Sequence, residues 1–238
     1  MNLKKILEEK VLKGHICSIV NNKKNVINTI NAHSFCVAKD DKEFMESLVK
    51  SDVLLPDGVS IVLAGKVFRI PGIKKIAGAD AHQYLLEQAN LNGQKVFYLG
   101  STSETLKLIE AKVKSNYPNI QVHSYSPPFK SVFDPDDSQA MINAVNSFQP
   151  KYLFVGMTAP KQEKWVQENK NEIKVSIIAN IGAVFDFYAG TVKRAPSWMI
   201  NLGMEWLFRL ISEPRRLWRR YLINNIKFCW YLLEERLG

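Results

Sequence analysis

"KVFYLGSTSETLKLIEAKVKSNYP", residues 95–118, decides the fold. Its first six residues are a short, uninterrupted apolar run closed by Gly100, the pattern of a strand buried on both faces. A helical stretch follows at 103–118, opened by Ser103 and stopped by Pro118. "IQVHSY" (120–125) is another strand. Strand, helix and strand within about thirty residues form a βαβ unit, and such a unit builds a parallel sheet.

The alternation continues in both directions. "VINTIN" (26–31), "DVLLP" (52–56), "KYLFVGM" (151–157) and "VSIIANIG" (175–182) are further strands. "DDKEFMESLVK" (40–50), "GVSIVLAGKV" (58–67), "ADAHQYLLEQANLNG" (79–93) and "DPDDSQAMINAVNSFQP" (134–150) are helices. The expected fold is α/β: a Rossmann-like parallel sheet flanked by helices. Ligands of such sheets bind beyond the carboxyl ends of the strands. Six strand ends here carry small or polar residues, including Thr29 and Asn31, Asp57-Gly58, Gly100-Ser101, the 126–129 turn ending in Phe129, Gly156 to Gln162, and Gly182 to Asp186.

Individual motifs leave several roles open. Asp57, in "LLPDG", suits a general base, a metal ligand or a simple turn former. Gly100 turns into a helix whose free N–H groups suit a phosphate, but the other glycines of G-x-G-x-x-G are absent. Lys161, Gln162 and Glu163 open a helix, either as readers of a sugar, base or phosphate or as a solvated helix start. Asp134-Pro135-Asp136 resembles the metal-holding Asp-x-Asp of sugar-nucleotide enzymes, yet it reads better as a helix cap. The four histidines show no metal-ligand spacing. No metal and no cofactor are expected.

The chain has 238 residues, 46% apolar and 23% charged, with a net charge of +9. That charge favours an anionic partner. Three dispersed cysteines point to a reducing compartment. No signal peptide and no run of about 18 apolar residues is evident. From Lys193 onward nine Lys and Arg face four Glu, and four of the five tryptophans lie there. This shift divides an α/β catalytic domain (1–192) from a helical appendage (193–238). A helix is expected to start at Pro214. At 100° per residue it carries Arg215, Arg216, Arg219 and Arg220 on one face and Leu217, Trp218, Tyr221, Leu222, Phe228, Cys229 and Leu232 on the other, a basic amphipathic pattern suited to an anionic membrane and to closing over the site, the alternative being that the apolar face packs on the protein's own core.

"TIN" (29–31), "LLPDG" (54–58), "VFYLG", "VGMTAPKQEKW" (155–165), "IGAVFDFYAGTVKRAP" (181–196) and "GMEWLFRLISEPRRLWRRY" (203–221) together resemble the WecG/TagA/CpsF glycosyltransferase family. The resemblance spans roughly residues 15–221. It implies an inverting transferase moving an N-acetylhexosamine such as N-acetylmannosamine, a hexose or a uronic acid from a UDP-sugar to a polyprenyl-pyrophosphate-linked saccharide. Such an enzyme works in the cytoplasm, peripherally on the inner face of the bacterial membrane, in making surface polysaccharide. Asp57 then matches the base, with Thr29 and Asn31 lining its pocket. Gly100, Ser101, Phe129, Lys161, Gln162 and Glu163 are the expected donor-binding residues. Lys193, Arg194, Arg209, Arg216 and Arg219 are expected to meet phosphates. A homo-oligomer is compatible with this reading, and nucleic acid is not an expected partner. Two other classes fit less well: an NAD(P)-binding oxidoreductase wants the missing glycines, and an RNA-binding protein leaves the strand-end cluster unexplained.

Overall fold

The structure, a computed structural model, describes residues 2–19 and 24–237, apart from the side chains of 197, 201 and 216. Six strands form one sheet: β1 (Asn25–Ile30), β2 (Val53–Pro56), β3 (Lys95–Gly100), β4 (Gln121–Tyr125), β5 (Tyr152–Gly156) and β6 (Ile177–Asn180). Every pairing is parallel, in the order β2-β1-β6-β5-β3-β4. β2, β3, β5 and β6 are buried almost throughout, as their unbroken apolar runs require.

The helices are α1 (Leu3–Glu9), α2 (Ala32–Asp40), α3 (Lys42–Val49), α4 (Val59–Val67), α5 (Gly78–Leu91), α6 (Ser103–Asn116), α7 (Pro135–Phe148), α8 (Lys161–Asn169) and α9 (Gly182–Ala189). One core joins α5, α6 and α9 to the sheet through Leu85, Ile109 and Phe185. A second, on α7 and α8, holds Met141, Val145, Trp165 and Val166. A third gathers α1 to α4 around Phe35, Phe44 and Ile61. The acidic tripeptide at 134–136 is the cap that its sequence suggests. Asp134 accepts from the Asp137 N–H (2.8 Å), and Pro135 begins α7.

Beyond α9 come α10 (Ser197–Asn201), α11 (Glu205–Ser212) and α12 (Pro214–Trp218). A π-helical turn at Arg219–Ile223 leads directly into α13 (Asn224–Leu237). Pro214 does begin this last long helix. From the π turn onward its faces depart from the 100° wheel, because a π turn holds more residues than an α turn and shifts everything after it. Phe228 is buried against Phe35 (ring centroids 5.8 Å), and Tyr231 packs on the same ring (6.0 Å). Leu217 is buried too, whereas Trp218, Leu222 and Cys229, which the wheel assigns to the same face, are exposed. At the far end, Glu235 accepts from the N–H groups of Leu3 (2.8 Å) and Lys4 (3.0 Å) at the start of α1.

Candidate active site

A parallel sheet puts all six strand ends on one edge. The connection after β3 runs outward to β4, while that after β5 returns to β6, so the crevice opens where β3 and β5 meet. Gly100 and Gly156 are paired there. Gly100 has φ +114°, and a Cβ on it would lie 2.5 Å from the Gly156 carbonyl oxygen, so no other residue fits. Ser101 continues the turn with φ +60°, and its carbonyl accepts from the Ser126 hydroxyl (2.8 Å), tying the ends of β3 and β4.

Gln162 and Glu163 sit in the first turn of α8, both buried. Gln162 accepts from the Met157 N–H (3.1 Å) and donates to Glu163 Oε1 (2.8 Å). Glu163 Oε2 is buried without a hydrogen-bond partner. Burial pushes this carboxyl up to about 7, against the Gln162 hydrogen bond. Lys161 is otherwise engaged. Its ammonium donates to the Lys130 carbonyl (2.7 Å) and lies over the Phe133 ring (4.5 Å), pinning the 126–133 loop. Phe129, on that loop, is fully exposed.

Asp57 ends β2 at the other side of the sheet. Its N–H donates to Ile30 (2.9 Å), and the next contact along, Ile76 N–H to Pro56 (3.0 Å), brings the 70–77 loop beside it. Asn31 flanks Gly58: a Cβ there would be 3.8 Å from Asn31 Cβ. Asn31 also caps α2, accepting from the Ser34 N–H (3.0 Å), while Thr29 is half-buried in β1. From β2 to β5 or β3 is three or four strand spacings, about 14–19 Å. The two polar groups therefore lie apart along the same edge of the sheet.

The C-terminal segment crosses the Asp57 end. Gly203, at φ +72°, packs so closely on Val59 that a Cβ would meet it at 2.5 Å. This contact places α11 over the start of α4. Glu205, Arg209 and Arg220 then act electrostatically on Asp57, as does Lys75 from the 70–77 loop. The Asp57 carboxyl is pushed up to about 6, first by burial and next by Glu205, while Lys75, Arg220 and Arg209 oppose the rise. Arg209 stacks on Phe187 (5.2 Å), and its buried Nε has no hydrogen-bond partner.

Of the C-terminal cations expected from the sequence, the structure brings Arg209 to Asp57. Arg194 pairs with Glu205 (3.8 Å) and with Asp80 (3.6 Å). Lys193 is exposed, and Arg219 lies outward over Trp218 (5.2 Å). The Arg216 side chain lies outside the described residues. Sequence reasoning missed Lys75, Glu205 and Arg220 as neighbours of Asp57. Arg220 had a signal, its place in the arginine cluster; Lys75, in "IKKI", had none.

The sequence pattern of the Glycosyl transferase WecG/TagA/CpsF family matches residues 2–238. The N-acetylglucosaminyldiphosphoundecaprenol N-acetyl-beta-D-mannosaminyltransferase of Bacillus subtilis (strain 168) is 32% identical over 210 residues, covering 88% of this chain and 79% of that protein. The proteins of the same name from Bacillus spizizenii (strain ATCC 23059 / NRRL B-14472 / W23) and Staphylococcus aureus (strain MW2) are each 29% identical, over 201 and 212 residues. The first covers 84% of this chain and 76% of that protein, the second 88% and 79%.

Proposed function

The chain belongs to the WecG/TagA/CpsF family of glycosyltransferases, and from that premise we propose that it transfers N-acetylmannosamine from its UDP derivative, with inversion, to N-acetylglucosamine linked to a polyprenyl diphosphate. The names of the relatives supply the two sugars and the lipid carrier. Asp57 carries the reading: an unpaired, half-buried carboxylate at a strand end, overhung by arginines, with its affinity for protons raised to about 6.

In one displacement, an acceptor hydroxyl oxygen bonds to the anomeric carbon and the bond to the UDP oxygen breaks. The hydroxyl proton passes to Asp57, which must be ionised to take it. UDP leaves with the electron pair of the broken bond. Arg209 and Arg220 offer fixed positive charge to the diphosphates that meet there. The β3–β5 crevice, with Gly100, Ser101, Gln162 and Glu163, takes the nucleotide, and Phe129 offers an aromatic face for its base. Thr29 and Asn31 line the sugar end of the site.

The acceptor's lipid tail stays in a bilayer, so the protein must reach a membrane surface. No helix among the described residues is long and apolar enough to cross one. Exposed Ile226, Trp230, Leu233 and Leu237 form an outward stripe along α13, suited to lie in the interface of an anionic membrane with Arg219 beside it. The test is to incubate the protein with a panel of UDP-sugars and a synthetic prenyl-diphosphate-linked N-acetylglucosamine, and to read products by mass spectrometry. One added N-acetylhexosamine from UDP-N-acetylmannosamine is expected. No product from any donor would overturn the reading.

A further inference from the structure

The charged side chains around Asp57 are arranged unevenly. Lys75 and Asp80 belong to the body, Lys75 just before α5 and Asp80 in its first turn. Arg194 and Glu205 belong to the returning C-terminal segment. Glu205 pairs with Lys75 (3.6 Å) and with Arg194 (3.8 Å), and Arg194 pairs onward with Asp80 (3.6 Å). Asp80 is itself fixed, accepting from the Ala77 N–H (3.0 Å). The four form an open chain of alternating charge, Lys75–Glu205–Arg194–Asp80, stapling α11 to the start of α5 and the loop before it. Asp57 stands beside this chain and has no partner within it: no described side chain makes a hydrogen bond or ion pair to its carboxylate.

That isolation needs a cause. Lys75 adjoins Ile76, which is bonded to Pro56, the residue before Asp57. A lysine there would ordinarily pair with the nearest carboxylate and hold it ionised, leaving a weaker proton acceptor. We propose that Glu205 is a positioning residue for Asp57: by engaging Lys75, it keeps that cation from pairing with the catalytic carboxylate. The groups facing Asp57 are Glu205 and Arg209 from α11, Lys75 from the loop before α5, and Arg220 from the π turn. Of these Glu205 alone is anionic, and it acts in two ways. It repels the charged form of Asp57 directly, and it neutralises the lysine that would favour that form. The side chains of Lys75 and Glu205 are 24% and 20% exposed, so water screens the pair only partly. The role assigned to Glu205 rests on Asp57 being the base, but the clamp itself can be tested without any substrate.

The measurement is the titration of the Asp57 carboxyl carbon by NMR in the full chain, assigned by its absence in Asp57→Asn. In Glu205→Gln the midpoint should fall by about one unit or more, as Lys75 swings onto Asp57. Adding Lys75→Met to that variant should return it towards the wild-type value. Glu205→Asp, which keeps the charge, should leave it nearly unchanged. If Glu205→Gln fails to fold, Lys75→Met alone should raise the midpoint. An unmoved midpoint in folded Glu205→Gln, or in Lys75→Met, overturns the clamp. In transfer assays the acid limb of the rate profile should move with the NMR midpoint. A midpoint that moves in a protein without transferase activity would leave the clamp standing and remove the functional reading.

Discussion

The sheet body and the segment after residue 193 follow opposite plans. In the body, apolar side chains point inward and charges face water; Leu85, Ile109, Phe154 and Val166 are wholly buried. In the segment, α11 and α13 turn Ile211, Ile226, Trp230 and Leu233 outward, while Glu205, Arg209 and Arg220 turn inward towards Asp57. Among the described large apolar side chains of the segment, only Met199, Leu217 and Phe228 are buried. Burial of apolar area drives folding of the body. The segment is held instead by a few anchors, namely Phe228 in the α2 groove, Glu235 on α1 and the Lys75–Glu205 pair. An inside-out element of this kind is stable where its outer face meets something other than water.

The sharpest way to break the comparison is to end the chain after Gly190. The body should keep its α/β circular dichroism with a lowered melting temperature, because Phe35 loses its cover, while sugar transfer and sedimentation with anionic vesicles disappear. Normal transfer by the folded truncation would show that the inward charges are dispensable. Asp57→Asn should leave the fold and the vesicle binding intact and reduce turnover on the order of 10²–10⁴-fold. Turnover within a few-fold of wild type would place the base elsewhere. In the intact enzyme, rate should fall as the pH drops through about 6, the range in which Asp57 gains its proton.

A smaller effect sharpens the other half. Ile226→Ser with Trp230→Ser removes two exposed side chains, so stability should change by less than about 1 kcal/mol. Vesicle partition should weaken by about tenfold or more; unchanged partition would mean that the stripe does not meet lipid. Glu163→Gln is read in stability alone. The folded-state value of Glu163 lies above its unfolded value, so its contribution is complete below about 4.5 and is lost as pH rises through about 7. Between about pH 4 and pH 8 the wild type should therefore lose up to roughly 3 kcal/mol of stability relative to the glutamine variant, as read by urea denaturation. Parallel pH profiles for the two proteins would refute the assignment.

Much of the body was legible because its signals are local. All six strand runs were readable from their apolar composition, and Asp57 and Gly100 fell at strand ends as expected. The first two helices were not picked out, although Asn2 and Asn31 cap them. Strand order was beyond local reading, since β1 and β6 pair across some 150 residues. The segment was legible in composition and not in geometry. The wheel assumed one step angle, and the π turn at 219–223 changes it. Lys75 and Glu205 are separated by 130 positions, and only the crossing of Gly203 over Val59 brings their charges together.

The bonds from Leu3 and Lys4 to Glu235 join groups more than 230 residues apart in sequence. Synthesised at about 5–20 residues per second, a nascent chain carries α1 for roughly 10–50 s before Glu235 exists to cap it. Until residues 205–220 have followed, the site is a bare strand edge, with neither arginines nor Glu205 above Asp57. The first helix is therefore completed by the last one, and a chain stalled before Glu235 leaves the Leu3 and Lys4 N–H groups without that acceptor.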